Sequence, residues 1–539
     1  MNSLRKIIYS TAIATVFVAG CNKDKFKELN INPQAANTID VNFLFTSAQL
    51  GAASGGSQGD DRYIDWRTNI GMASTAIQQL ATSATSSANI ASVGDKYLEN
   101  PETNAAPWDF FYRDLKNLAE IIKQTGTGGF AEGKNNNTRQ AARILRASFF
   151  HRLTDFYGSI PYFEANQAQE GVFFPKYDKQ KAIYTDLLKE LDEASAAFSA
   201  AADPDFAAAD LYYKGDIAKW KRWGYSLMLR LAMRVSKVDQ SLANTYVAKA
   251  VAGGVFQSNA DNVIVPMAEG PSTWTNQNGI SRALIPGDGG EVVFLSKTFV
   301  DFLKGPNTSS TTDDDPRLMI LSGGIGEWTN PNAITSPITD PLLQKGMPNG
   351  MDIPMLRQFE GNPTLDPTKT YSRINPKLLN LDEPYMLMNY GEVKLLLAEA
   401  AQRGIGGLSA AAAAGHYNEG VKASMQMYTI YDPSFVVSDA QVAAYLAARP
   451  YNVYKPALEM IGEQLWANKF LNWWEAWPDW RRTGFPSLTP TNFPGNVTGG
   501  KIPQRLMYPV LEIAGNPNFK TGASANDFIT KLWWAGGPE

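Results

Sequence analysis

Apolar residues recur along this chain at helical spacing in one segment after another. Between Thr138 and Phe156, the residues Ala142, Leu145, Phe149, Leu153 and Phe156 fall at i, i+3, i+7, i+11 and i+14. That spacing places them on one face of one helix, which Gly158 and Pro161 then stop. Gln180 to Ser199 predicts a second amphipathic helix, with Ile183, Leu187, Leu191 and Ala194 on one side. Asp216 to Lys237 predicts a third, with Trp220, Trp223, Leu227 and Leu231 in register. A short helix over Asn42 to Leu50 precedes them, and Asn244 to Val251 follows after a turn. Tyr385 to Arg403, Ala410 to Tyr428 and Tyr454 to Trp474 complete the set. Consecutive members are joined closely enough to form αα-hairpins.

Several hairpins in one chain predict a mostly α fold, a tetratricopeptide-like helical scaffold over about 34–252 and 384–480. The spacing is too irregular to give a repeat of about 34 residues. Ala52 to Gly59 is small and Gly/Ser-rich and reads as a loop. From Gly253 to Pro384 the helical pattern lapses. That stretch is rich in Gly, Pro, Asn, Thr and Ser, holds isolated aromatics and offers one helix, Ser296 to Leu303. A structureless segment of this length is uncommon in a compact domain and is usually functional. The expected organisation is one domain over 21–539, with a loop-rich ligand-binding insert at about 253–383.

Composition sharpens this picture. The 539 residues are 44% hydrophobic and 11% aromatic, enough for a large core, and one cysteine allows no internal disulfide. Stability must therefore come from burial. The formal net charge is −4, with no basic stripe, so nucleic acid is not an expected partner. Two histidines and one cysteine leave little for a zinc or iron site, and no metal or cofactor is expected.

The first residues form a three-part export signal over 1–20. Arg5 and Lys6 are basic, Ile7 to Val18 is uncharged and mostly apolar, and Val18-Ala19-Gly20 are small. The run is shorter than the roughly 20 residues a spanning helix needs, which favours a removable signal. Its end resembles the lipobox of bacterial lipoproteins, in which the thiol of the next residue, here Cys21, is acylated. An ordinary signal that contains a cysteine is the alternative, and the absence of any other cysteine favours lipidation. Asn22 to Gln34 would then be a tether, holding a soluble body at a membrane through its lipid.

A series of strings now falls in a recognisable order. The Cys21 segment leads into Phe26-Lys27-Glu28-Leu29-Asn30-Ile31-Asn32-Pro33. Leu153-Thr154-Asp155-Phe156-Tyr157-Gly158 follows, with Ile160-Pro161-Tyr162, then Trp220-Lys221-Arg222-Trp223 and Leu229-Arg230-Leu231-Ala232-Met233-Arg234. Asp315-Pro316-Arg317-Leu318, Leu397-Ala398-Glu399-Ala400, Arg403-Gly404 and Tyr417-Asn418-Glu419-Gly420 come next. Trp480-Arg481-Arg482-Thr483-Gly484-Phe485-Pro486 and Arg505-Leu506-Met507-Tyr508-Pro509 close the series. Together they resemble the SusD/RagB family of outer-membrane nutrient-binding lipoproteins, from Cys21 to about Asn518. The resemblance implies a helical body with tetratricopeptide-like hairpins, on the outer face of a Gram-negative cell. It implies a SusC-like TonB-dependent transporter as partner and an oligosaccharide, polysaccharide or peptide as ligand. The family's ligand residues vary between members, so it carries no site residue over.

The candidate site comes from the residues themselves. Sugar rings lie on aromatic faces with polar groups nearby. Trp466, Phe470, Trp473 and Trp477 are spaced as a buried helix face and read as core. Isolated aromatics are better platforms: Trp274 with Asn276 in one Asn-rich segment, Trp328 in another, and Tyr63 and Trp66 beside Asp61 near the start. Each is alternatively a loop residue folded back on the body. Glu475 and Asp479 have the two-carboxylate pattern of a glycosidase, but Pro478 is expected to interrupt their helix and Arg481 and Arg482 to pair with them. Asp313-Asp314-Asp315 lacks the ligand spacing of a calcium loop and is expected to cap a turn. The resulting expectation is a non-catalytic glycan-binding lipoprotein serving a transporter. A surface glycan hydrolase and a peptide-binding or protein-docking scaffold of the same complex are the alternatives.

Overall fold

Several of the long helices begin where a side chain accepts the backbone N–H groups that the first turn leaves unpaired. In the computed structural model, which describes residues 39–539 except 55–62, 87–88, 201–202, 204, 271–275, 287–291 and 308, eleven helices of ten residues or more carry the architecture. They are α1 (Val41–Ser54), α2 (Pro101–Gln124), α3 (Asn136–Tyr157), α4 (Gln180–Ala196), α5 (Ile217–Val235), α6 (Gln240–Gly253), α7 (Tyr390–Gln402), α8 (Ala413–Gln426), α9 (Asp439–Ala448), α10 (Ala457–Asn468) and α11 (Trp473–Thr483). A π-wound helix, Asp65–Ser74, lies between α1 and α2. Asp216 caps α5 by accepting from the N–H groups of Ala218 and Lys219 at 3.0 and 3.1 Å. Asp239 does the same for α6 and Asn389 for α7. Ser438 and Gln441 form a reciprocal capping box on α9.

The apolar stripes predicted from the sequence meet in the core. Ile183, Leu187, Leu191, Trp220, Trp223, Leu227 and Leu231 are all buried. Trp220 and Trp223 lie 5.0 Å apart between ring centroids, and Phe45 of α1 reaches Trp220 at 5.8 Å. Consecutive helices pack pairwise from α2 to α6, and α7 packs on α8, so the scaffold is a stack of tetratricopeptide-like hairpins. Gly158 ends α3 at φ 85°, and a Cβ there would come within 2.7 Å of the Ser524 Oγ. The late chain folds back over this end. Leu506 N–H donates to the Phe156 carbonyl at 2.9 Å, and the Tyr508 hydroxyl lies 2.7 Å from the Ser159 carbonyl. Trp534 is buried beneath the guanidinium groups of Arg234 and Arg481, 5.4 and 5.1 Å from its ring.

Several expectations need correction. Tyr385–Met388 is a strand rather than the first turn of a helix. It pairs antiparallel with Val263–Val265, and Asn389 starts α7 only after it. Tyr454–Trp474 is not one helix, because the chain breaks between Asn468 and Trp473 with Leu471 at φ 76°. Pro478 sits inside α11 without ending it. Its neighbours are held from outside, Trp477 Nε1 donating to the Pro503 carbonyl at 3.1 Å and Asp479 pairing with Arg234, which offsets the lost backbone bond. The longest helix, α2, was not read from the sequence at all.

The region 253–383 is also more ordered than its composition suggests. Ser322–Asn330 (β1) is the centre of a three-stranded antiparallel sheet, flanked by Ala333–Ile338 (β2) and Ser372–Ile374 (β3). Ser296 caps the predicted helix, observed at Lys297–Leu303. Phe294, Met347, Leu356, Leu365 and Tyr371 form a second small apolar cluster under this region. Residues Val41–Glu539 pack as one unit. The proposed signal over 1–20, Cys21 and the tether lie outside the described residues.

Candidate functional site

The densest chemistry of the chain turns out to be structural. Trp466, Phe470, Trp473 and Trp477 are buried in the core as expected, with Trp474, although they lie on two helices rather than on the single helix face their spacing suggests. Glu475 is also buried. Its Oε1 accepts from His151 Nε2 at 2.9 Å and from Arg152 Nε at 3.0 Å, while Arg230 and Arg234 approach at 3.4 Å. Asp479 pairs with Arg234 at 2.8 Å and with Arg482 at 3.4 Å, and Lys469 donates to its other oxygen. Burial raises both carboxyls, but the surrounding cations outweigh it: Arg230 and His151 hold Glu475 well below the usual carboxylate range, and Lys469 and Arg234 do the same for Asp479. A glycosidase acid must carry a proton near neutral pH. These two carboxylates are fixed in the ionised form and sealed from substrate, so they cannot serve.

Only one of the two predicted arginine partners pairs there. Arg482 bridges Asp479 and Glu399, whereas Arg481 donates to the carbonyls of Asp155 and Gln504 at 2.8 and 2.6 Å. Burial pushes Arg481 down to about 9. Asp315 forms a buried two-pronged pair with Arg317, Nε to Oδ1 at 2.9 Å and Nη2 to Oδ2 at 2.7 Å. Asp314 accepts from Gly305 N–H at 2.8 Å. Among the described residues no cluster of three or more His, Cys, Asp or Glu is placed to hold a metal ion.

The predicted binding residues fall in three places. Tyr63 and Trp66 stand at the start of the π-wound helix, half-buried and stacked 6.1 Å apart at 24°. Arg67 lies 4.7 Å over the Tyr63 ring and pairs with Glu102 at 2.9 Å. Asn276 takes a left-handed conformation, φ 65°, and its carbonyl accepts from Ala268 N–H at 2.8 Å. The chain then enters the short helix Gly279–Leu284, capped by the Asn278 side chain, and this helix packs against the π-wound helix. The fold therefore brings the chain that follows Asn276 to the π-wound helix, at whose start Tyr63 and Trp66 form a wall.

Trp328 stands apart from that wall. It lies on the regular strand β1, not on a loop, and is half-buried against the core. Its indole N–H has no partner among the described residues, and its strand packs mainly on its sheet neighbours and the turn Pro367–Lys369. Trp274 and Asp61 lie outside the described residues.

Two open clefts were not foreseen from the sequence. One, of about 840 Å³, runs between α2 and the segment Tyr162–Glu170. Arg146 stacks there at 4.8 Å on both Phe150 and Tyr162, and Phe163 is 49% exposed at its edge. The other, of about 850 Å³, is edged by Met351, Met355, Phe359, Asn349 and Asn492. Their signal, aromatic and amide residues side by side, is visible only once α2 and the 350–360 helix are placed. No described helix is long and apolar enough to cross a membrane.

The comparisons with known proteins point one way. A SusD-like family, described as starch-binding and associating with the outer membrane, matches residues 33–509. Among solved structures, a chitin-binding protein is 30% identical with a TM-score of 0.74, over 92% of this chain and 100% of that one. A SusD-like protein of Bacteroidetes AC2a is 25% identical at 0.74, with the same coverage. A chitin-binding SusD homolog from Flavobacterium johnsoniae, 22% identical at 0.70 over 92% and 98% of the two chains, shares the fold. A search of curated protein sequences gives no match.

Proposed function

The chain belongs to the SusD-like family, and from that premise we propose that it is a non-catalytic glycan-binding lipoprotein of the outer membrane. In this reading it captures oligosaccharides at the cell surface and passes them to a SusC-like TonB-dependent transporter. The observation that carries it is whole-length likeness to a chitin-binding protein at 30% identity. The chemistry agrees. The Tyr63–Trp66 stack offers an apolar face of the kind a pyranose ring covers, and the carboxylate pair singled out from the sequence, Glu475 and Asp479, is locked in the core.

The ligand wall is assigned to Tyr63 and Trp66, with Asn276; Trp274 and Asp61 stay candidates on their sequence alone. Trp328 forms a separate platform. The lipid on Cys21 holds the body at the membrane beside its transporter. Affinity electrophoresis of the mature protein through starch or soluble chitin tests the reading. Retardation that weakens in Trp66→Ala is expected, with no release of reducing ends on prolonged incubation. Reducing-end release would make the protein a hydrolase. Free migration through every glycan, combined with retention on the transporter, would make it a docking scaffold.

A further inference from the structure

Far from that wall in sequence, a pocket of about 200 Å³ opens between the helix Lys297–Leu303 and helices α8, α9 and α10. Arg449, the residue that ends α9, lines it. The residue is only 7% exposed, yet its guanidinium donates no hydrogen bond and joins no ion pair among the described residues, and its Nη1 is fully enclosed. At contact distance the charge meets rings: the guanidinium carbon lies 4.3 Å from the centroid of Tyr445 and 5.9 Å from that of Tyr454. No acid reaches it within hydrogen-bonding distance. Glu463 accepts from Lys455 at 2.5 Å and Asp315 from Arg317, while Asp314, tied to Gly305 N–H through one oxygen, acts on Arg449 only through space. A buried guanidinium without acceptors is costly, and five N–H groups in a rigid fork match two coplanar oxygens.

We propose that this pocket is a second ligand site, which takes a carboxylate carried on a ligand no larger than one sugar ring. Lys304, Arg449 and Lys455 against Asp301 and Glu463 leave the lining with one excess positive charge, matching a monoanion. The volume is below the usual 300–1,000 Å³ of ligand pockets, which limits the occupant to a ring. Tyr417, Tyr445 and Tyr454 supply the faces on which such a ring rests. The carboxylate can belong to a uronic acid or to a free amino acid, and the test separates these sources.

Isothermal titration of the mature protein with D-glucuronate, with N-acetylalanine and with D-glucose provides that test. At least one carboxylate is expected to bind and glucose to give no heat. Arg449→Met should weaken the carboxylate about 10- to 100-fold, as expected for hydrogen bonds to a charged group, while leaving glycan retardation in affinity electrophoresis unchanged. Should Arg449→Met fail to fold, Tyr454→Ala, at the rim and 41% exposed, is expected to weaken the same titration. The proposal is overturned if neither carboxylate binds the unaltered protein, or if binding survives in the folded variant at full strength. Because glycan retardation is read separately, its loss in the unaltered protein would count against the proposed function and not against this site.

Discussion

Two groups of buried arginines in this molecule obey opposite rules. Arg152, Arg230 and Arg234 surround Glu475 and Asp479, and each is met by a carboxylate or carbonyl within hydrogen-bonding distance. Arg449 is nearly as buried and has only aromatic faces against it. The first arrangement joins α3, α5, α7 and α11, four helices distant in sequence, and no charge is left over for a ligand. The second leaves its donors unspent. Burial alone therefore does not separate structural from functional charge; a hydrogen-bonded carboxylate or carbonyl partner does.

The largest effect should come from breaking the satisfied group. Glu475→Ala takes the only carboxylate partner from Arg152 and one of the partners of Arg230 and Arg234, which keep Glu392 and Asp479, and is expected to destabilise the fold by about 3–5 kcal/mol, read from urea unfolding followed by tryptophan fluorescence. A loss below about 1 kcal/mol would mean the network is ornamental. Trp223→Ala, which empties the α5 core without touching charge, is expected to cost a similar 3–5 kcal/mol. Comparing the two variants in salt separates them, because only the charge network can respond.

A pH profile sharpens the same point. The folded Glu475 and Asp479 carboxyls lie below their ordinary values, so the stability they contribute is complete above about pH 4, the unfolded range. It is lost as the pH falls from there toward the folded values. Urea midpoints should hold steady above pH 5 and drop steeply below 4, and Glu475→Gln should flatten that drop. An equally steep drop in the variant would assign acid sensitivity to other groups.

Trp66→Ala should cost roughly 1–3 kcal/mol of glycan affinity, by analogy with stacking of bases on aromatics, with the urea midpoint little moved. The smallest effect on stability is expected for Arg449→Met. Removing a charge that has no partner should change the unfolding free energy by less than about 1 kcal/mol, or raise it. A large loss would place Arg449 with the structural arginines and erase the contrast.

The helical body was legible where one stripe decided one element. α3, α4 and α5 carry regular apolar spacing, and their observed limits lie within a few residues of the expected ones. α2 was missed because Pro101 and Pro107 stand in its sequence, although a proline in the first turn costs little and the long apolar face of Phe111, Leu115, Leu118 and Ile121 is buried. The strands of the insert were unreadable for another reason. β1 contains three glycines and its register shifts twice against β2, so neither alternation nor β-propensity marked it. Of the site, the residue types were visible but not their grouping. Tyr63 and Trp66 are grouped by their local spacing, but the helix Gly279–Leu284, more than 200 residues later, packs on the π-wound helix, and no local pattern encodes that pairing. Arg449 was unreadable in principle, since its signal is an absence of partners in space.

Trp534 carries a consequence for the order of events. The space under Arg234 and Arg481 is closed by a side chain made roughly three hundred residues after α5. Helices α3 to α5 can form early, but they have no sealed interior to settle into until synthesis reaches Trp534.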